Sequence, residues 1–180
     1  MTTFIALLRG INVGKAKRIA MADLRALLEG LGYTDVVTLL NSGNALFRAT
    51  TGAPAQHAAD IGKAIATQLK LEVPVLVKSA QELDAIAADN PFTDAPDPSR
   101  LVLAFAQDAK ALSGLNAIGD LVVTPEAFAV GRHAAYLHCA SGILDSKAGK
   151  ALLGKVGNAV TTRNWATVLK LQALAHSTTK

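Results

Sequence analysis

Two short polar segments hold most of the residues in the first half of the chain that can do chemistry on a ligand. The first, Arg9-Gly10-Ile11-Asn12-Val13-Gly14-Lys15-Ala16-Lys17-Arg18, joins four cations to an amide and two glycines. The second, Asn41-Ser42-Gly43-Asn44, offers two amides and a hydroxyl around another glycine. Cations, amides and backbone N–H groups are the donors that hold phosphate oxygens at a helix N-terminus or in a backbone nest. Neither segment spells a nucleotide fingerprint. Gly10 to Ala16 is one residue short of a P-loop and lacks its Ser/Thr, so it has no magnesium ligand. It also fails the G-x-G-x-x-G dinucleotide pattern. A further polar cluster, Thr161-Thr162-Arg163-Asn164, precedes Trp165. Thr161 or Thr162 is expected to cap a helix there, and Arg163 and Asn164 would add donors. The bland alternative is that long loops are basic and glycine-containing because water solvates them.

Other residue types point away from metal and covalent chemistry. His57, His133, His138 and His176 have no spacing that places two on one helical face. The single cysteine, Cys139, supplies neither a metal cluster nor an internal disulfide. No metal and no cofactor are expected. Beside His138, Cys139 would point to the opposite face of a strand, which reads as a buried thiol and not a nucleophile. Ser141-Gly142 lacks a nucleophile elbow. For an enzyme acting on an acidic small metabolite, His133 or Asp145 would be the acid–base candidates by residue type alone.

These residues need elements to hold them. Thr3 to Leu8 is an apolar run closed by Arg9-Gly10, the pattern of a strand buried on both faces. Met21, Leu24, Leu27, Leu28 and Leu31 recur at helical spacing until Gly30 and Gly32. Val36 to Leu40 and Ala45 to Arg48 flank the Asn41–Asn44 turn as a hairpin. Pro54 opens a helix whose Ala58, Ile61, Ile65 and Leu69 share a face. Val73 to Lys78 is a strand that Pro74 assigns to a sheet edge, and Ser79-Ala80-Gln81-Glu82 reads as a capping box for a helix stopped at Asn90-Pro91. Half of the 6 prolines, Pro91, Pro96 and Pro98, cluster there. They divide the chain into residues 1–90, a linker 91–99, and residues 100–180. The second half repeats the beat. Strands are expected at Leu101–Ala106 and Leu121–Thr124, with a helix through Ala109, Leu112 and Leu115 between them. A hairpin of Phe128–Val130 and Ala134–His138 follows, then a helix from about Ser146 to Leu153 and a short strand near Ala159-Val160. In the final helix Trp165, Val168, Leu169 and Leu171 face the core. The halves share element order, not visible residue identity.

In a βαββαβ unit with right-handed crossovers the first two strands are parallel. The loop after the first strand and the hairpin after the second therefore lie at one end of the sheet. Arg9, Gly10, Asn12, Gly14, Lys15, Lys17 and Arg18 are so brought toward Asn41, Ser42 and Asn44, where the helix opening near Met21 adds its dipole. Of these, all but Lys17 form, with Arg163 and Asn164, the expected binding set for an anionic small molecule or nucleic acid. The 180 residues are 51% hydrophobic, too apolar for a disordered chain, and the net charge of +4 fits an acidic partner without demanding nucleic acid. Aromatics at 4% leave few rings for stacking on bases. Met1 to Arg9 resembles neither signal peptide nor membrane span, so no membrane partner is expected. One cysteine fits a cytoplasmic protein. Besides an anion-binding protein, the pattern allows an enzyme or a structural protein pairing through an edge strand such as that of Pro74. It leaves the oligomeric state open.

Leu7-Leu8-Arg9-Gly10-Ile11-Asn12-Val13-Gly14, Met21-Ala22-Asp23-Leu24-Arg25, Leu31-Gly32-Tyr33, Asn41-Ser42-Gly43-Asn44 and Thr161-Thr162-Arg163-Asn164-Trp165 occur in this order over nearly the whole chain. In this the sequence resembles the bacterial domain-of-unknown-function family DUF1697. The resemblance implies an α+β fold of two βαββαβ ferredoxin-like repeats, each followed by an extra helix. It implies no activity and no catalytic residue. Lys15-Ala16-Lys17 departs from relatives that carry another glycine and a Lys-Asn pair, and the loop stays basic.

Overall fold

The computed structural model describes residues 1–177. They divide into two compact units: Met1–Gln81 with the part of the last helix from Leu171, and Glu82–Lys170. Among the described residues no helix is long and apolar enough to cross a membrane.

The first unit runs β1 (Thr2–Leu8), α1 (Met21–Gly30), β2 (Thr34–Leu39), β3 (Asn44–Ala49), α2 (Pro54–Leu69) and β4 (Val75–Ser79); α3 (Ala80–Ala88) follows and from Glu82 belongs to the second unit. Its sheet has the order β2-β3-β1-β4, every neighbour antiparallel. On one face Phe4, Ala6, Leu8, Ala45, Phe47 and Val77 pack with Leu24, Leu27 and Leu28 of α1 and Ile61 and Ile65 of α2. Burying each such leucine or isoleucine contributes about 1.5–3 kcal/mol. Ile5 and Leu7, between them in β1, are buried too, as the continuous apolar run requires. Pro54 is at the start of α2, where its missing N–H leaves no helix bond unmade. β4 is an edge strand, and Pro74, just before it, serves the sheet through its carbonyl, which accepts from Arg9 N at 3.0 Å.

The second unit repeats the order: β5 (Leu101–Ala106), α4 (Ala109–Ser113) with a 3-10 turn over Asn116–Leu121, β6 (Ala127–Val130), β7 (Ala134–His138), α5 (Lys147–Leu153) and β8 (Val160–Asn164), then the start of α6 (Trp165–Ser177), as far as Lys170. The sheet order β6-β7-β5-β8 is the first sheet's order again. Three expectations need correction. The run Leu121–Thr124 is no strand: Leu121 closes the 3-10 turn and Val123 is 63% exposed. Pro125 follows, and the ladder position beside β7 belongs to Ala127–Val130. Thr161 and Thr162 do not cap α6. These β-branched residues extend β8 along β5, and the cap falls to Asn164. Leu169 is exposed, and the buried face of α6 is Thr167, Val168, Leu171 and Ala175.

The repeats also share a feature at residue level. Lys78 of β4 stands opposite Ile5 of β1, and Arg163 of β8 stands opposite Leu103 of β5. Both cations are buried, and both lie on the sheet face turned away from the helix-side cluster, since Val77 and the Val102–Ala104 alternation belong to those clusters.

Candidate functional site

The end of β1 and the 40–43 hairpin are joined first through backbone: Leu8 N donates to Gly43 O at 2.9 Å. Asn12 completes the junction. Its Nδ2 donates to Asn41 O at 2.7 Å and to Ile19 O at 2.8 Å, and its Oδ1 accepts from Ile19 N at 2.9 Å. Both amide hydrogens are therefore held by the protein's own carbonyls. Its φ of 56° lies in the left-handed region that asparagine tolerates. Asn44 is the first residue of β3, not part of the turn, and is fully buried. Its Nδ2 donates to Leu39 O (2.9 Å) and Ser42 Oγ (3.0 Å). Gly43 has φ 92°, and a Cβ there would meet Leu8 Cβ at 2.8 Å and Ile11 Cδ1 at 2.9 Å.

Around this junction Gly10, Gly14, Lys15, Lys17, Arg18, Asn41 and Ser42 are exposed, while Arg9 is half-buried. Burial lowers the pKa of the Arg9 guanidinium. A depression of about 340 Å³, lined by Asn12, Arg18, Ile19, Ala20 and Asn41, opens beside the start of α1. Ala20 is the N-cap residue of that helix and gives it no side-chain acceptor. Topology thus brings the two predicted segments together, with the asparagine side chains of positions 12 and 44 turned to holding the loop.

Arg163 and Asn164 belong to the second unit. Arg163 is 9% exposed, its Nη1 donates to Thr161 Oγ1 (2.9 Å) and Thr162 O (2.7 Å), and burial pushes its pKa down to about 10. Asn164 Oδ1 accepts from Thr167 N at 2.9 Å, a helix-capping bond. His133 and Asp145 are both exposed. Cys139 is fully buried, and burial pushes its thiol up to about 11, which suppresses the nucleophilic thiolate.

A second polar centre in the first unit escaped the sequence reading. His57 is only 5% exposed, with its ring 4.5 Å from Phe4, 5.2 Å from Tyr33 and 5.5 Å from Phe47 between centroids. Its Nδ1 is 2.9 Å from the Tyr33 hydroxyl. Its Nε2 is buried with no partner in hydrogen-bond geometry, although the carbonyls of Thr51 and Gly52 are near enough to favour a protonated ring. Desolvation outweighs them and the Asp60 charge, so the His57 pKa is lowered. The Tyr33 phenol is pushed up to about 12 by burial and by Asp60. A depression of about 350 Å³ opens over the pair, lined also by Thr50, Thr51, Gly52 and Asp60. The signal was present in the spacing: His57, Ile61 and Ile65 follow at i, i+4 and i+8 on the buried face of α2.

Two four-stranded antiparallel sheets, each built by a βαββαβ chain path and clad by helices, define a duplicated ferredoxin-like α+β protein. The chain belongs to the family described as protein of unknown function (DUF1697), whose model matches residues 1–136. Among solved structures it is similar to the conserved bacterial protein SP0830 from Streptococcus pneumoniae. That likeness has 23% identity and a TM-score of 0.82, over 97% of this chain and 98% of the other, and it concerns the fold. No curated protein matches the chain.

Proposed function

We propose that the protein binds an anionic small molecule, of the phosphorylated-metabolite class, in the depression beside the start of α1. The observation that supports this reading is the coincidence of Arg18 and Asn41 in its lining with a helix N-terminus that no side chain caps. The first N–H groups of a helix lack partners within it and favour negative charge. Lys15 and Lys17 nearby outnumber Asp23, the acidic residue of the first turn. Ser42 and the backbone at Gly10 and Gly14 add donors, and Arg9 sits at the strand end. Asn12 and Asn44 serve such a site by fixing the loop. A single buried cysteine fits a cytoplasmic setting for this activity.

A small ligand is favoured over single-stranded nucleic acid because Phe4 and Phe47 are buried against the helices and offer no stacking platform. A thermal-shift screen of inorganic phosphate, sugar phosphates, nucleotides and a short oligonucleotide tests both. Ligand at 100 times its Kd stabilises the fold by about 2.7 kcal/mol. Arg18→Ala should weaken a phosphorylated hit about tenfold, the scale of one charge-assisted hydrogen bond. An oligonucleotide contacting three phosphates would instead show log affinity falling with log salt at a slope of about −2. No shift with any of these compounds overturns the reading.

A further inference from the structure

We propose that the depression at the end of β6 binds a free α-amino acid with an apolar side chain, its ammonium held by Asp89 and its carboxylate by Arg132. The depression, of about 520 Å³, lies wholly within the second unit. Asp89 and Pro91, after α3, line one part of it. Val130, Gly131 and Arg132, at the turn from β6 to β7, line the rest with Tyr136 of β7. That volume suits a small molecule.

Both charges are unspent within the fold. Neither the Asp89 carboxylate nor the Arg132 guanidinium makes a hydrogen bond or an ion pair among the described residues, with each other or with any third group. Asp89 also stands against the local field. It follows Ala88, the last residue of α3, where the helix dipole presents its negative end and favours a cation. No basic residue in the last turn of α3 offsets it. A bound ammonium would relieve the carboxylate and the helix end together. Arg132, at the hairpin tip, offers the planar fork that takes a carboxylate through two N–H groups.

Gly131 sets the spacing. A Cβ placed on it would lie 3.8 Å from Asp89 Oδ2, and Arg132 is the next residue, so the two charges flank this one position. An α-amino acid carries its ammonium and carboxylate on a single carbon, which matches charges borne so close together. The same Cβ would lie 3.0 Å from Tyr136 Cε2 and 3.2 Å from Ala134 O, so glycine keeps open a space that a side chain would fill. The frame is fixed on both sides. Gly131 N donates to Ala134 O at 2.8 Å across the hairpin, and the Tyr136 hydroxyl donates to Ile86 O at 2.6 Å, tying α3 to the sheet near Asp89. Groups held in this way lose little freedom on binding. Pro91 and Val130, both exposed, give apolar wall for the ligand's side chain. The paired charges select a zwitterion, since Asp89 repels an anion that lacks an ammonium and Arg132 repels a cation that lacks a carboxylate. This site and the α1 depression therefore take different ligands, and neither proposal rests on the other.

The test is a titration of the full chain with L-leucine, with isopentylamine, which is leucine without its carboxylate, and with isocaproate, which is leucine without its ammonium. Backbone amide resonances are followed by NMR. Leucine should move those of Gly131 and Arg132 saturably, and each half-molecule should bind at least tenfold more weakly, the scale of one charge-assisted hydrogen bond. Asp89→Asn and Arg132→Gln should each weaken leucine by a similar factor. Both positions are exposed, so the variants should fold. A merely structural loss would affect every ligand alike, whereas here Arg132→Gln should not weaken isopentylamine and Asp89→Asn should not weaken isocaproate. The proposal is overturned if leucine gives no saturable shift up to its solubility limit. It is equally overturned if either half-molecule binds as tightly as leucine, or if either variant binds leucine as wild type does.

Discussion

At the scale of single residues, Asn12 commits its whole amide group to three hydrogen bonds that tie the first loop to Asn41 and Ile19. Asn12→Ala should therefore lower stability by about 2 kcal/mol without any ligand, because three hydrogen bonds are lost, two of them to the part-buried backbone of Ile19. Lys15→Ala, at an exposed position, should change it by no more than about 0.5 kcal/mol. Urea denaturation of both variants checks the contrast, and equal losses would contradict it. His57 carries the pH dependence. Its folded pKa is lowered from 6.5, so between the folded and unfolded values the unfolded chain binds more protons. Stability should thus decline as pH falls below about 6.5 and stop declining below the folded pKa. In His57→Phe that part of the slope should vanish, as melting temperatures at pH 5 to 8 would show. A variant with the wild-type slope would assign the effect to other groups. Both behaviours depend on where side chains end up, which residue type alone leaves open: an asparagine suited to a phosphate oxygen is equally a donor to a backbone carbonyl.

At the scale of elements, the turn between β2 and β3 depends on Gly43, whose left-handed backbone and contact with Leu8 and Ile11 leave no room for a methyl group. Gly43→Ala should destabilise the unit by about 1–3 kcal/mol, the range for strain and overpacking. Asn164→Ala removes the cap of α6 and should cost about 1 kcal/mol. A guanidinium chloride curve for each variant reads these losses directly; an unchanged midpoint in either would refute the assignment. Most elements were legible because period and punctuation agreed, as in α1 with its leucine stripe ended at Gly32, or β1 with its unbroken apolar run. The exceptions have physical causes. Leu121–Thr124 looks like a strand because a short apolar run carries no period, and only the ladder partner decides its state. Thr161 and Thr162 suit a cap and a strand alike; Val160 before them and β5 alongside decide for the strand. Leu169 lies on the exposed side of α6, which a leucine does without penalty.

At the scale of the molecule, duplication sets where stability resides. Each unit has its own helix-side cluster against a sheet whose central pair, β1 with β3 or β5 with β7, is buried along almost its whole length. The hairpin partners at the edge, β2 and β6, are mostly half-exposed. The sequence carried this repeat only as element order, because the shared features are register positions, such as Lys78 opposite Ile5 and Arg163 opposite Leu103, that differ in residue identity. Amides exchange with solvent through openings whose free energy rises with buried contact. Native-state hydrogen exchange should therefore reveal two separate groups of slowest amides, one along Phe4–Leu7 and Leu46–Phe47, the other along Val102–Phe105 and Ala135–Leu137. Amides of Thr34–Leu39 and Ala127–Val130 should exchange sooner than those of the central strands they flank. Protection confined to one of the two groups would mean that the repeats, alike in path, do not each sustain a core of their own.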